Sequence, residues 1–253
     1  MINIALVGAN GKMGQVISRI VEGTDNAVIS FGIDINTECA NSFPVYSSFS
    51  EANEICDVII DFSHPSSLQS TIDYAVNNNK GVIIATTGLS AEQISLIKDT
   101  ASKIPVFFSA NMSLGVNLLI QLAKIATVLL EDNFDIEIVE KHHNLKIDSP
   151  SGTALAIADA INETSAYSNE YVYDRHSSRK KRSKREIGIH SVRGGTIVGE
   201  HDVIFAGTDE IIEIKHTATS KEIFAVGAVK AANFLFGKKP GMYNMDDLIS
   251  EIL

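Results

Sequence analysis

The side chains best able to do chemistry stand together in "EKHHNLKIDSPSGTALAIADAI", from Glu140 to Ile161. His142 and His143 carry imidazoles, which gain and lose protons near neutral pH, and Lys146 adds a full positive charge close by. Pro150 interrupts regular structure and "TALAIADAI" resumes it as a helix. Ser151, Gly152 and Thr153 therefore fall at a helix N-terminus. Unpaired N–H groups, the helix dipole and two hydroxyls there can receive a carboxylate or phosphate, and Gly152 lets a ligand come close to the backbone. Proton donor, cation and anion receiver in one loop suit acid–base work on an anionic substrate. The plainer alternative is a loop in which Ser151 or Thr153 only caps the helix.

A second group of residues could hold a hydride carrier. Gly8-Ala9-Asn10-Gly11-Lys12-Met13-Gly14 has the spacing G-x-x-G-x-x-G, with its middle glycine one residue later than in the usual dinucleotide fingerprint. It follows an apolar run, Ile2 to Val7, and precedes Val16, Ile17, Ile20 and Val21 at helical spacing. Backbone N–H groups at such a strand-to-helix turn receive a pyrophosphate. Asp34, twenty positions after Gly14, ends the next apolar run, "NAVISFGID", where a carboxylate takes ribose hydroxyls. No cation follows Asp34, since Ile35, Asn36 and Thr37 come next, so Lys12 is the one nearby partner for a 2′-phosphate. We expect NADH and NADPH both to serve, NADH at least as well.

The elements around these residues follow from their periodicity. "DVIIDFS", "GVIIATTG" and "IPVFFSAN" read as buried strands, separated by helices at "SSLQSTIDYAVNN" and "SAEQISLIKDTAS". Strands alternating with helices imply a Rossmann-type, doubly wound parallel sheet with ligands at the carboxyl ends of its strands. After Ser113 the pattern changes. A long helix carries Leu118, Leu119, Leu122, Ile125, Ala126 and Leu129 on one stripe, expected to face the core. "FDIEIVE" then alternates strictly, and "EIGIHSV", "IVGEHDVIFAG" and "DEIIEIKHTA" extend a sheet with one wet face. The expected fold is α/β, with a second α+β domain built on a mostly antiparallel or mixed sheet. The tail "TSKEIFAVGAVKAANFLF", with capping-box spacing from Thr219 to Glu222, should return to the first domain. The domains expected are 1–112 with 221–253, and 113–220.

Composition narrows the partners. The chain has 253 residues and a formal net charge of -10, which gives no general attraction for nucleic acid or anionic lipid. Arg175 to Arg185 is a basic run without interleaved aromatics, read as a solvated loop. Two cysteines, Cys39 and Cys56, form neither a disulfide framework nor a metal site, so a reducing cytoplasm is expected, without bound metal, export signal or membrane span. His64, Arg193, His190, His201 and His216 are read mainly as strand or turn residues, with His64 and Arg193 the nearest to functional positions.

The segments "DFSHP", "ATTG", "SANMSLGVN", "HHNLKIDSPSGTAL", "VRGGTIVGEH" and "FLFGKKPGMYNMDDL" together resemble the 4-hydroxy-tetrahydrodipicolinate reductase (dihydrodipicolinate reductase) family over essentially the whole chain. The resemblance implies reduction of a cyclic dicarboxylic imine precursor by NADH or NADPH with loss of water, in the diaminopimelate and lysine pathway. It implies His142 as proton donor or acceptor and Lys146 as a second donor, with His143, Gly152 and Thr153 on a substrate carboxylate. Gly8 to Met13, Asp34, Ala85, Thr86 and Thr87, and Ser109, Ala110, Asn111 and Met112 would line the cofactor, and members look like homotetramers built through the second sheet. Two departures, Ile35 where some members have an arginine and Ala85 where glycine is common, bear on cofactor choice. The competing functions are a semialdehyde or homoserine dehydrogenase on similar domains, and a dinucleotide sensor without catalysis. The first needs a catalytic cysteine at a strand end in its acylating form, and the second has no use for His142 and Lys146.

Overall fold

The computed structural model describes residues 1–177 and 179–252. The first segment contains β1 (Ile2–Val7), α1 (Lys12–Glu22), β2 (Ala27–Ile33), β3 (Val45–Tyr46), β4 (Val58–Asp61), α2 (Leu68–Asn77), β5 (Gly81–Ile84), α3 (Ala91–Thr100) and β6 (Pro105–Phe108). Then come α4 (Leu114–Leu130), β7 (Asp135–His142), α5 (Gly152–Thr164), β8 (Glu170–Val172), β9 (Glu186–Arg193), β10 (Gly199–Ala206) and β11 (Ile211–Ala218). The chain ends through α6 (Glu222–Leu235), β12 (Gly241–Tyr243) and α7 (Met245–Ile252). It packs as two compact units, Met1–Leu114 with the chain from Glu222 onward, and Gly115–Lys221.

In the first unit a seven-stranded sheet runs β12-β6-β5-β4-β1-β2-β3, every pairing parallel. Successive residues of β1 from Ile4 onward enter opposite cores, which is why the strand is apolar from there, while the half-buried Asn3 near its start bonds Asp57. Ile2, Ile4 and Leu6 pack with Ile17 of α1 and Ala228 of α6, while Ala5 and Val7 pack with Leu68 of α2 and Ile97 of α3. Helices thus cover both faces, and the tail joins this unit through α6. That helix begins at Glu222, two residues further on than a Thr219 cap requires, and Glu222 meets Arg19 of α1 at 3.1 Å. The strands β3, β8 and β12 have two or three residues each, too few for a period to register in the sequence.

The second unit has a five-stranded mixed sheet, β11-β10-β7-β9-β8, in which β10 pairs antiparallel with β7 and β11 while β9 pairs parallel with β7 and β8. Ile136, Ile138, Ile187, Ile189, Val203 and Phe205 form its inner face, covered by α5 and α4. The stripe expected to bury α4 is only partly correct. Leu119 is buried and Ala126 packs against the core, but Leu118, Leu122, Ile125 and Leu129 are exposed, Leu129 at 76%. The helix is apolar nearly all round, so periodicity alone could not choose the face; the buried one runs through Val116, Leu119, Ala123 and Thr127. The basic run is also less free than a solvated loop. Arg182 bonds Asp135, Glu137 and three backbone carbonyls, and Arg175 pairs with Glu137 and Glu186, bolting the segment to the sheet. Ser178, within that run, and Leu253, at the end of the expected first domain, lie outside the described residues.

Candidate active site

At the carboxyl end of β1 the chain turns at Gly8, whose φ is +81° and where an added Cβ would lie 2.6 Å from the Phe62 carbonyl oxygen. At Gly14 a Cβ would meet the Gly8 carbonyl oxygen at 2.1 Å, so α1 can approach the loop only without one. Gly11 precedes α1, so no side chain there competes for the helix's first N–H groups. Asp34 braces the loop, accepting the Asn10 N–H at 2.9 Å on one carboxylate oxygen and the Asn36 N–H at 3.0 Å on the other. A cavity of about 890 Å³ opens beside it, bordered by Gly8, Gly11, Asp34, Phe62, Ser63 and His64. The glycine cradle, the helix end and this volume fit a dinucleotide.

The other residues expected at the cofactor distribute unevenly. Ala85, Thr86 and Thr87 follow β5, and Ser109, Ala110, Asn111 and Met112 follow β6, all on the same carboxyl edge as Gly8, though none borders the cavity. Ala9 and Met112 are buried in the core and Met13 packs against it, while Lys12 is exposed and does not border the cavity, whose charged lining is Asp34 and Asp73. Asp61, at the end of β4, ties two of these turns together by accepting from the Ser63 N–H at 3.0 Å and the Thr86 hydroxyl at 2.9 Å. Burial pushes its carboxyl up, against the hydrogen bonds from Ser63 and Thr86.

In the second unit, β7 alternates so that Ile136, Ile138, Glu140 and His142 share the inward face. The first two fill the core; the last two bring polar groups to its end. Glu140 is wholly buried, and its Oε2 meets His142 Nδ1 at 2.7 Å. Arg193, the register partner of His142 on β9, donates to both Glu140 oxygens at 2.8 and 2.7 Å, and the Ser151 N–H donates at 3.1 Å. Burial alone would raise the Glu140 carboxyl, but the bonds from Arg193, Ser191, His142 and Ser151 outweigh it and hold the group at about 2. His201, opposite Glu140 on β10, sits edge-on to His142 with ring centroids 5.3 Å apart. Burial, with the neighbouring His142, lowers His201 to about 4, so it stays neutral.

The residues ahead of α5 divide in two. Ser151 is buried: its Oγ accepts the Ala154 N–H at 3.1 Å, capping the helix, and lies 3.1 Å from His201 Nε2. Its hydroxyl and N–H are thus spent within the unit, as in the plainer reading of this loop. Gly152 is exposed and Thr153 half-buried. His143 is half-buried, and Lys146 pairs with the exposed Asp148 at 2.8 Å. Sequence reasoning missed Glu140 and undervalued Arg193 and His201. For Glu140 a signal existed, since strict alternation from Ile136 puts it on the core face, where a carboxylate needs a partner. Among the described residues no group of histidines, cysteines and carboxylates could hold a metal.

Residues 2–112 match the family described as "Dihydrodipicolinate reductase, N-terminus" and residues 115–249 that described as "Dihydrodipicolinate reductase, C-terminus". The chain belongs to the dihydrodipicolinate reductase family. Relatives named 4-hydroxy-tetrahydrodipicolinate reductase include one from Caldanaerobacter subterraneus subsp. tengcongensis, 51% identical over 251 residues and covering 99% of both chains. Another, from Clostridium tetani, is 50% identical over 250 residues, 99% of this chain and 98% of that one. The dipicolinate-bound dihydrodipicolinate reductase from Paenisporosarcina sp. TG-14 shares the fold, with a TM-score of 0.82 at 24% identity over 96% of this chain and 97% of that one. The expected α/β fold and reductase class both stand, and the chain is an oxidoreductase of this family.

Proposed function

We propose that this reductase converts 4-hydroxy-tetrahydrodipicolinate to tetrahydrodipicolinate with loss of water, at the expense of NADH or NADPH, in diaminopimelate and lysine biosynthesis. The observation that carries the reading is His142 held on a buried carboxylate, four residues ahead of Lys146 and in the segment that leads into the N-terminus of α5. A ring with two carboxylates needs two anion receivers, and addition of hydride to it must be matched by a proton. When bound, the reduced nicotinamide supplies that hydride. Lys146 exchanges Asp148 for one substrate carboxylate, which the Gly152 and Thr153 end of α5 also receives, while His143 contacts substrate and His142 delivers the proton. Gly8 to Met13, Asp34, Ala85 to Thr87 and Ser109 to Met112 hold the dinucleotide.

NADH is the preferred donor. A 2′-phosphate would enter a cavity whose charged side chains are Asp34 and Asp73, with no Lys or Arg on its border, whereas free ribose hydroxyls can donate to Asp34. The enzyme works in the cytoplasm, in keeping with its two free cysteines; no helix among the described residues is long and apolar enough to cross a membrane. It assembles as a homotetramer through the second sheet, whose edge strand β11 exposes Ile211 at 64%.

The test mixes the purified protein with NADH and enzymatically generated 4-hydroxy-tetrahydrodipicolinate and follows the absorbance of reduced nicotinamide, with and without pyridine-2,6-dicarboxylate as competitor. Oxidation that needs the substrate and is suppressed by the competitor supports the reading. Absence of turnover with a folded, NADH-binding protein overturns it in favour of a sensor. A kcat/KM strongly favouring NADPH overturns the cofactor preference, and sedimentation as a monomer overturns the tetramer.

A further inference from the structure

Glu140 makes no contact that a substrate could share, yet it is the most heavily bonded carboxylate beside His142. We propose that Glu140, clamped by Arg193, is a positioning residue that fixes the tautomer and ring orientation of His142, leaving Nε2 as the nitrogen that exchanges the proton. This inference rests on the reading of His142 as the proton donor. An ionised carboxylate can only accept, so the Nδ1 that faces it at 2.7 Å must carry hydrogen. Glu140 stays ionised because two guanidinium bonds and the Ser151 N–H satisfy it, and a group 0% exposed has no route of its own to a ligand. The clamp is itself anchored, since Arg193 also donates to the Val192 and Asp148 carbonyls at 2.8 and 2.7 Å.

The far side of the ring is arranged to match. Gly199, the first residue of β10, faces Nε2, and an added Cβ there would lie only 3.1 Å from it, so glycine keeps that nitrogen clear. His201 stands edge-on and bonds the Ser151 hydroxyl rather than Glu140, which leaves the carboxylate to His142, Arg193 and the Ser151 N–H. In turnover Nε2 takes a proton from solvent and passes it to the substrate, while Nδ1–H remains on Glu140 and the carboxylate never protonates. A bridge that only bolts β7 to β9 would have no effect on which imidazole nitrogen carries the hydrogen.

Nitrogen-15 NMR of the ligand-free, full-length protein reads that directly. With the ring neutral, His142 should show a protonated Nδ1 and a bare Nε2; the Nε2–H tautomer in the wild type would overturn the proposal. In Glu140→Gln the single tautomer should give way to a mixture, and kcat should drop about tenfold or more while KM for NADH changes less than about twofold. Glu140→Asp, which keeps the charge, should recover part of that loss. A folded Glu140→Gln protein with an unchanged tautomer and kcat within about twofold of wild type would leave only the structural bridge, whatever its urea midpoint. If Glu140→Gln does not fold, the wild-type tautomer decides. The NMR result does not depend on the reaction, so a wrong substrate assignment and a wrong positioning role fail separately.

Discussion

The glycine loop after β1 and the Glu140 cluster at the end of β7 both set polar groups at the end of a strand, and they do it by opposite means. The loop works by omission: Gly8 and Gly14 lack the carbon atoms that would keep backbone from approaching backbone. The cluster works by accumulation, with side chains from β7, β9, β10 and the cap of α5 bonded to one buried carboxylate. The demands of the loop are partly local, with Gly14 set against the Gly8 carbonyl, and partly distant, with Gly8 set against Phe62 and Asn10 held by Asp34. The cluster exists only when strands far apart in sequence pair in register, because a buried charge without its partner is costly. A backbone site is therefore sensitive to added atoms, and a side-chain site to lost charge.

Removing His142 from the cluster, or Lys146 from the segment that follows it, should have the largest effect. His142→Gln or Lys146→Ala lowers kcat roughly 10²- to 10⁴-fold, with NADH affinity within about twofold of wild type, measured by steady-state kinetics alongside cofactor titration. Intact turnover in Lys146→Ala would show that its ammonium is not a donor. Breaking the loop should do the reverse. Gly14→Ala forces a Cβ to within 2.1 Å of the Gly8 carbonyl, so the loop must shift. It should weaken NADH binding about tenfold or more and destabilise the protein by about 1–3 kcal/mol, while calorimetry shows pyridine-2,6-dicarboxylate binding unchanged.

The cluster also carries a pH dependence. His201 folds with its value lowered to about 4, so between there and its ordinary 6.5 the unfolded chain binds more protons than the folded one. Its favourable contribution is complete above that ordinary value and falls away as pH drops toward 4, by up to about 3 kcal/mol. Glu140, held at about 2, gives up its contribution only at lower pH, below the ordinary carboxylate range. Urea unfolding at about pH 7 and about pH 4.5 should show a smaller difference for His201→Asn than for wild type; equal differences would mean that His201 is not buried neutral. The mildest effect is expected at Asp34. Replacing it by alanine should cost NADH about 1 kcal/mol in kcat/KM and narrow the gap to NADPH, whereas Lys12→Ala should alter neither.

The alternation of buried strands and amphipathic helices announced the parallel sheet, because a strand covered on both faces has to be apolar at every position. The strand-end location of Asp34, Ala85 and Ser109 followed from that sheet alone. His142 and Lys146 were legible because they are neighbours whose types are unusual together. Arg193, paired with His142 only through the β7–β9 register, offered no local sign of its task. The wrong face of α4 has a related cause: a helix apolar nearly all round has no periodicity to betray which side will find a partner.

The amino-acid order by itself determined the two kinds of layer, the glycine turn and the helix that starts after Pro150, since each depends on local periods, on φ or on a proline that interrupts the chain. Only the tertiary structure decided that Glu140 lies wholly inside, that Arg193 and His201 meet it, and that His142 is held by Nδ1. The physical reason is range. Backbone preferences act across a few residues, whereas a buried carboxylate becomes affordable only once distant strands have delivered its donors.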